Sequence, residues 1–274
     1  MFTLRNKDRS LSVEKPLVMG ILNITPDSFY DGSRYQEVDQ IVAQAEKMLE
    51  QGASILDIGG QSTRPGSARV DAETEWSRIE KPLTELLKRF PHSFLSIDTY
   101  HSEVARRALT EGAFMINDIS AGEMDRSMVE IVAAAKAPYV IMHMRGTPST
   151  MQEQTHYTNL IDEVISYLLQ KRTLCLEHGI TSLIVDPGFG FAKTIAQNFQ
   201  LLGSLEKFGV LKSPLLLGIS RKSFIYKTLE CLPDQALNGS TFLHAIGLQK
   251  GARILRVHDV KEAVEAVRLF ERLG

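Results

Sequence analysis

Three short apolar stretches of this chain end in a group that can hold a hydrogen bond or a charge: Ser96-Ile97-Asp98, Met115-Ile116-Asn117 and Ile184-Val185-Asp186. Aspartate is rarely buried without a partner. Two carboxylates and an amide converging on one mouth could grip a flat heterocycle with several N–H donors. Carboxylates accept hydrogen bonds, and an amide both donates and accepts. Taken singly, each residue could instead cap the helix that follows it. All three together at strand ends favour a binding role.

A second set of residues is cationic. Ser220-Arg221-Lys222-Ser223 follows one apolar run, and Arg256-Val257-His258 closes another. Alternation along a strand puts Arg256 and His258 on one side and Val257 on the other. An arginine fork beside an imidazole suits phosphate oxygens. Asn23 closes the first apolar run and becomes their neighbour if first and last strands meet. Asp259 is expected to cap the last helix.

Other polar positions say less. His143, within Ile141-Met142-His143-Met144, reads as a hydrogen-bonded core residue and takes no role. Met142 or Met144 could pack on a ligand ring, core filling being the default. The glycine-rich Asp186-Pro187-Gly188-Phe189-Gly190-Phe191 is neither a Walker loop nor GxGxxG. Its glycines allow close backbone approach, and Phe189 or Phe191 could wall a ligand. There is no HExxH, no GxSxG, no paired-cysteine site and no lysine set inside an apolar strand, so covalent catalysis is not suggested.

Eight apolar runs must position these groups: Leu17–Ile24, Ile55–Gly60, Phe94–Thr99, Phe114–Ile119, Tyr139–Met144, Leu183–Gly188, Leu215–Ser220 and Arg253–His258. Runs apolar on both faces are what parallel strands look like. Functional groups at the carboxyl ends of eight such strands predict an α/β fold, a (β/α)8 TIM barrel with its site at that end. Helical stripes lie between the runs: Ile41, Val42, Ala45, Met48 and Leu49; Trp76, Ile79, Leu83, Leu86, Leu87 and Phe90, with Pro82 expected to kink the helix; Ile161, Val164, Ile165, Leu168 and Leu169; Val260, Ala263, Val264, Val267 and Leu269. Gly52, Gly112 and Gly251 stand where a left-handed residue ends a helix. Residues 3–14 predict a short hairpin covering the barrel bottom. Two long turn-rich loops, 25–34 and 61–69, are lid candidates on the active face.

The chain has 274 residues, near the usual barrel length of about 250, and no linker divides it, so residues 1–274 are expected to be one domain. Lys plus Arg is 31 and Asp plus Glu is 33, for a formal net charge of −2. No global basic field exists for nucleic acid or an anionic membrane. No apolar run approaches the roughly 18 residues of a membrane span, and the polar start has no secretory h-region. Two cysteines, Cys175 and Cys231, make a poor disulfide framework. A reducing, cytoplasmic setting is expected.

Eight segments, in order, resemble dihydropteroate synthase of folate biosynthesis: MGILNITPDSF (19–29), DIGGQSTRPG (57–66), SIDT (96–99), INDISAG (116–122), IMHMRGTPSTMQ (141–152), IVDPGFGFAK (184–193), LLGISRKSF (216–224) and RVHDV (256–260). The resemblance implies a transferase that joins 6-hydroxymethyl-7,8-dihydropterin pyrophosphate to p-aminobenzoate, releasing pyrophosphate. It implies that Asp98, Asn117, Asp186 and Lys222 bind the pterin, and that Asn23, Arg256 and His258 form the pyrophosphate site, with Asn23 also near Mg2+. Thr63, Arg64, Pro65 and Ser223 would shape the p-aminobenzoate pocket, where sulfonamides compete. Asp98, Lys222, Arg256 and His258 would carry catalysis, and a homodimer is expected. His101 and the helix after Leu237 (NGSTFLHA) depart from the family's pattern, outside this ligand set. A pterin-dependent methyltransferase would need neither the STRPG loop nor the anion site, and a non-catalytic paralogue should have lost some of these residues. A Schiff-base aldolase would need a lysine inside the barrel.

Overall fold

The structure is a computed structural model that describes residues 2–7, 9–24, 34–62, 67 and 69–273, with side chains from residue 38 onward in the first helix. β1 (Thr3–Asn6) and β2 (Arg9–Ser12) pair as an antiparallel hairpin. Eight parallel strands then close a barrel: β3 (Leu17–Asn23), β4 (Ile55–Gly59), β5 (Phe94–Asp98), β6 (Met115–Asp118), β7 (Tyr139–Met142), β8 (Leu183–Asp186), β9 (Leu215–Leu217) and β10 (Ala252–Val257). The helices are α1 (Arg34–Glu50), α2 (Ala72–Arg89), α3 (Ser102–Glu111), α4 (Met128–Ala135), α5 (Leu160–Glu177), α6 (Ile195–Gly203), α7 (Ser223–Thr228), α8 (Leu237–Gln249) and α9 (Val260–Phe270). The predicted barrel is therefore the observed one. Each strand stops one to three residues before its apolar run does. The residues beyond leave the ladder to enter the loops of the active face.

Local chemistry explains most boundaries. Asp71 caps α2 by accepting from the Thr74 amide at 2.7 Å, and α2 continues through the buried Pro82. Gly52, Gly112 and Gly251 all have positive φ, as predicted for residues that end a helix. Two stripe assignments are corrected. Leu169 is 39% exposed on α5 and Leu269 is 71% exposed on α9. The face of α9 that packs is set by Val260, Ala263 and Val267, and Leu269 is two residues, about 200°, further round the helix.

Outward strand residues such as Leu22, Ile58, Ile97, Ile141, Val185, Leu217 and Val257 join the helices in one apolar layer. Inward residues at the amino ends of the strands, Met19, Ile55, Met115, Val140, Ile184, Leu216 and Ile254, form a second cluster closed from below by Leu4 and Val13 of the hairpin region. Asn6 fastens the hairpin there, its Nδ2 donating to the carbonyls of Phe114 at 2.7 Å and Ala113 at 3.3 Å. The predicted bottom cover is thus present.

Asn6→Ala removes buried donors far from the strand carboxyl ends. It is expected to lower unfolding stability by about 1–2 kcal/mol in urea titration while leaving turnover at saturating substrate unchanged. A fall in turnover in fully folded protein would show that the hairpin communicates with the mouth.

Candidate active site at the carboxyl ends of the barrel strands

Strand parity decides which residues meet. Two residues beyond the bottom cluster, the inward positions are Ile21, Asp57, Asn117, Met142, Asp186, Gly218 and Arg256. The barrel interior thus turns from apolar to ionic within one step of the pleat. Asp98 sits one layer higher on β5, in register with Gly59 and Asn117.

Arg256 organises this layer. Its Nε donates to Asp57 Oδ2 at 2.6 Å and its Nη2 to Asp98 Oδ2 at 2.5 Å. Asn117 Nδ2 donates to the same Asp57 oxygen at 2.9 Å. The other oxygens of Asp57 and Asp98 are buried and meet no partner among the described residues. Burial works against the Arg256 charge, but Asp57 and Asp98 hold its pKa above the ordinary arginine value. Burial pushes the Asp98 carboxyl up, against the pull of Arg256 and helped by Asp57 and Asp118.

Asp186 and Lys222 meet on the opposite side. Asp186 Oδ1 accepts from the Gly188 amide at 2.7 Å. A Cβ placed on Gly218 would lie 3.5 Å from Asp186 Oδ2 and 4.0 Å from Lys222 Nζ. Burial pushes Asp186 up while Lys222 pulls it back, and burial lowers Lys222 to about 8 against the opposing field of Asp186. The Lys222 ammonium also donates to the Phe189 carbonyl and stands 4.7 Å from the Phe191 ring centroid. Phe191 joins Met142, Met144 and Tyr100 in a small apolar cluster, whereas Phe189 packs against Phe224 in the helix layer. Of the two candidate aromatic walls, Phe191 is the one beside the polar layer. Ser223 opens α7 directly after Lys222.

The last two loops are tied to each other. Ser220 Oγ lies 3.2 Å from both the backbone nitrogen and Nδ1 of His258. Asp259 precedes α9 but makes no side-chain cap bond. Its carboxylate instead takes Arg221 side-on, with Nε at 2.8 Å and Nη2 at 2.7 Å. Asp259 thus stands at the N-cap position of α9, as expected, with its carboxylate given to Arg221 rather than to the helix amides. Arg221 is the stronger partner because the pair is charged and bidentate. Asp98, Asn117 and Asp186 cap no helix: His101, Ser127 and Thr194 occupy those positions. Asn23 ends β3, and its Oδ1 and the Asp98 side chain both border Gly59. Thr63, Arg64 and Pro65, and the loop at residues 25–33, lie outside the described residues.

Three buried ionisable residues near the mouth were not singled out in the sequence. Asp57 is fully buried and lies in the middle of its run, where only strand parity would reveal it. Lys193 is buried, bonded to the His143 ring at 3.1 Å and to two carbonyls, yet it lies on a loop rather than a strand. Glu75 projects from α2 and accepts from Gln61 at 2.8 Å and Thr99 at 3.1 Å beside the mouth. Burial raises its pKa to about 8.

The profile of the family described as "Pterin binding enzyme" matches residues 19–258. Dihydropteroate synthase of Escherichia coli strain K12 is 42% identical over 264 residues, covering 96% of this chain and 93% of the relative. The chain belongs to the dihydropteroate synthase family of pterin-binding enzymes. Solved structures agree. Yersinia pestis dihydropteroate synthase with a sulfonamide drug complex superposes with a TM-score of 0.93 at 39% identity, covering 99% of each chain. The Xanthomonas albilineans enzyme in complex with 7,8-dihydropteroate gives 0.88 at 36% identity, covering 99% of this chain and 98% of that one. The family's members are transferases. Among the described residues, no helix is long and apolar enough to cross a membrane.

Removing one partner of a buried ion pair leaves the other uncompensated. Asp57→Ala is expected to destabilise the fold by about 3 kcal/mol, read by urea titration, with Asp57→Asn costing less. A loss under about 1 kcal/mol for Asp57→Ala would mean that Asp98 alone suffices to hold Arg256.

Proposed function

We propose that the protein condenses 6-hydroxymethyl-7,8-dihydropterin pyrophosphate with p-aminobenzoate, giving 7,8-dihydropteroate and pyrophosphate. The observation that carries this reading is the interior layer itself. Asp57, Asp98, Asn117 and Asp186 offer acceptors to the N–H groups of a pterin, while Arg256 and Lys222 sit among them as cations. The relatives seen with 7,8-dihydropteroate and with a sulfonamide support the substrate pair and a p-aminobenzoate pocket that sulfonamides enter.

Each group has a physical task. Asn117, Asp98, Asp186 and Lys222 hold the pterin. Asn23, Arg256 and His258 form the pyrophosphate site, a role suited to a guanidinium fork beside an imidazole. The bond from the pterin methylene to oxygen breaks, and pyrophosphate leaves with the electron pair. Positive charge spreads from the methylene into the ring, and the Asp98 carboxylate opposes it in a low-dielectric interior. The amine of p-aminobenzoate forms the new C–N bond with its lone pair and then loses a proton. No strong base is required. Thr63, Arg64, Pro65 and Ser223 shape the pocket for p-aminobenzoate.

A divalent cation fits the same corner. Mg2+ takes oxygen ligands and shares them between a few protein groups and substrate phosphates. The Asn23 amide oxygen and the Asp98 carboxylate border Gly59, and among the described residues one Asp98 oxygen has no partner. Asn23 would hold the ion. When bound, Mg2+ supplies charge neutralisation to the leaving pyrophosphate. The protein works as a homodimer in a reducing cytoplasm. This is supported by the free thiols of Cys175 and Cys231 and by Phe242 of α8, which is 64% exposed.

Pyrophosphate release from pterin pyrophosphate and Mg2+, with and without p-aminobenzoate, tests the reading. Release that depends on p-aminobenzoate and yields dihydropteroate supports it; pterin binding without product in folded protein overturns it. Asp98→Asn is expected to cut turnover by about 100-fold or more while changing pterin affinity far less, since its charge matters most in the transition state. Equal losses in calorimetry and kinetics would remove Asp98 from that task. Arg256→Ala is expected to weaken pterin pyrophosphate by about tenfold more than free pterin. If both ligands weaken alike, Arg256 does not serve the anion.

A further inference from the structure

Lys193 is 3% exposed and belongs to none of the groups given a task above. Its ammonium has three protons, and all three are used. They go to the Gly188 carbonyl at 2.9 Å, the Phe191 carbonyl at 3.1 Å and His143 Nδ1 at 3.1 Å. Burial lowers Lys193 to about 7 against the opposing field of Asp186, and its charged form pairs with the neutral His143 tautomer that carries its proton on Nε2. Burial, Lys193 and Arg145 keep the ring neutral, lowering its pKa to about 2. The His143 ring is itself held between Tyr167 and Tyr157, with centroids at 5.1 and 6.1 Å. Its backbone nitrogen donates to the Asp186 carbonyl at 3.1 Å.

The segment that Lys193 holds is the one that shapes the polar layer. Gly188 has a φ of +76°, and a Cβ there would lie 2.0 Å from the His143 carbonyl oxygen. The backbone therefore passes directly against β7. From the other side, the Lys222 ammonium takes the Phe189 carbonyl. Two ammonium groups, Lys193 buried and Lys222 part-buried, thus grip carbonyls 188, 189 and 191 of a loop that begins at Asp186 and carries Phe191. The Lys193 charge also favours the ionised form of Asp186.

We infer that Lys193 is a positioning residue for pterin recognition, stapling the backbone of residues 188–191 to His143 so that Asp186, Phe191 and Lys222 keep their places around the ring. The inference rests on the pterin-site reading above. It requires no contact between Lys193 and the substrate. It predicts that losing the staple harms ring recognition and spares the pyrophosphate site of Asn23, Arg256 and His258.

The test uses the full chain and two probes, 6-hydroxymethyl-7,8-dihydropterin and inorganic pyrophosphate with Mg2+, each titrated by calorimetry after circular dichroism has confirmed folding. Lys193→Met keeps most of the stem and removes the charge and all three donors. Its pterin affinity is expected to fall about 10- to 100-fold, with pyrophosphate affinity within about threefold of wild type. Unchanged pterin binding, or an equal loss for both probes, overturns the inference. Should Lys193→Met fail to fold, His143→Phe carries the test. It keeps a ring between the tyrosines, removes one acceptor, and is expected to show a smaller loss confined to pterin. Where both fold, the double variant should lose little more than Lys193→Met, because both act on one staple. Multiplying losses would overturn it. A wild type that binds pyrophosphate but not pterin overturns the pterin-site reading itself, and the role of Lys193 with it.

Discussion

Arg256 lies inside the barrel between Asp57 and Asp98, and the polar interior rests on that placement. A lone ion in such surroundings costs several kcal/mol even after relaxation. A planar fork can satisfy two carboxylates at once, which a lysine point charge could not do with the same geometry. Asn117 then completes the arrangement by donating to Asp57. Among the described residues, the Oδ1 atoms of Asp57 and Asp98 are buried without a partner. Buried acceptors are nearly always satisfied, so these two oxygens stand ready to accept from a ligand's donors. The same feature that makes the interior costly to fold makes it selective for a ring rich in N–H groups.

The cations around this layer are sorted by backbone geometry rather than by sequence proximity. Arg221 and Lys222 are adjacent, yet they serve different ends. Arg221 has a left-handed φ of 54°, and its guanidinium leaves the mouth for Asp259. Lys222 turns inward to Asp186 and the Phe189 carbonyl. The Arg221–Asp259 pair links the loops after β9 and β10, and beside it Ser220 and His258 meet. Arg221 therefore supplies a brace between the two loops, while Lys222 adds its charge to the interior. A cluster of four polar residues in the sequence resolves into one brace and one interior charge.

The barrel was legible in the sequence because parallel strands buried on both faces leave continuous apolar runs, and because glycines with positive φ end the intervening helices. The strand-end residues Asp98, Asn117 and Asp186 were legible for the same reason: they interrupt those runs where the chain leaves the sheet. Asp57 was hidden because it interrupts its run in the middle, where only alternation separates an inward residue from an outward one. Lys193 was hidden because its burial comes from β7 and a glycine-rich loop packing together, which no local pattern encodes. Asp259 holds the capping position read for it, but its side chain is taken by Arg221 from 38 residues away, which no local pattern shows. Leu169 and Leu269 were misread because an apolar residue near a stripe is not necessarily on it.

The position of the ionic layer within the barrel follows from the pleat. Along β4, β6, β8 and β10, one step of two residues takes the interior from Ile55, Met115, Ile184 and Ile254 to Asp57, Asn117, Asp186 and Arg256. That step is about 6.6 Å along a strand. The lower residues form a dry plug, sealed by the hairpin through Leu4 and by Asn6. The plug keeps water from reaching the charges from below. With water excluded on that side, each carboxylate interacts with Arg256 or Lys222 at a lower effective dielectric than at the surface. A field of that kind is fixed by the fold before any ligand arrives, which is the condition under which charge can oppose a developing cation without reorganising. The apolar bottom and the polar top are therefore one device.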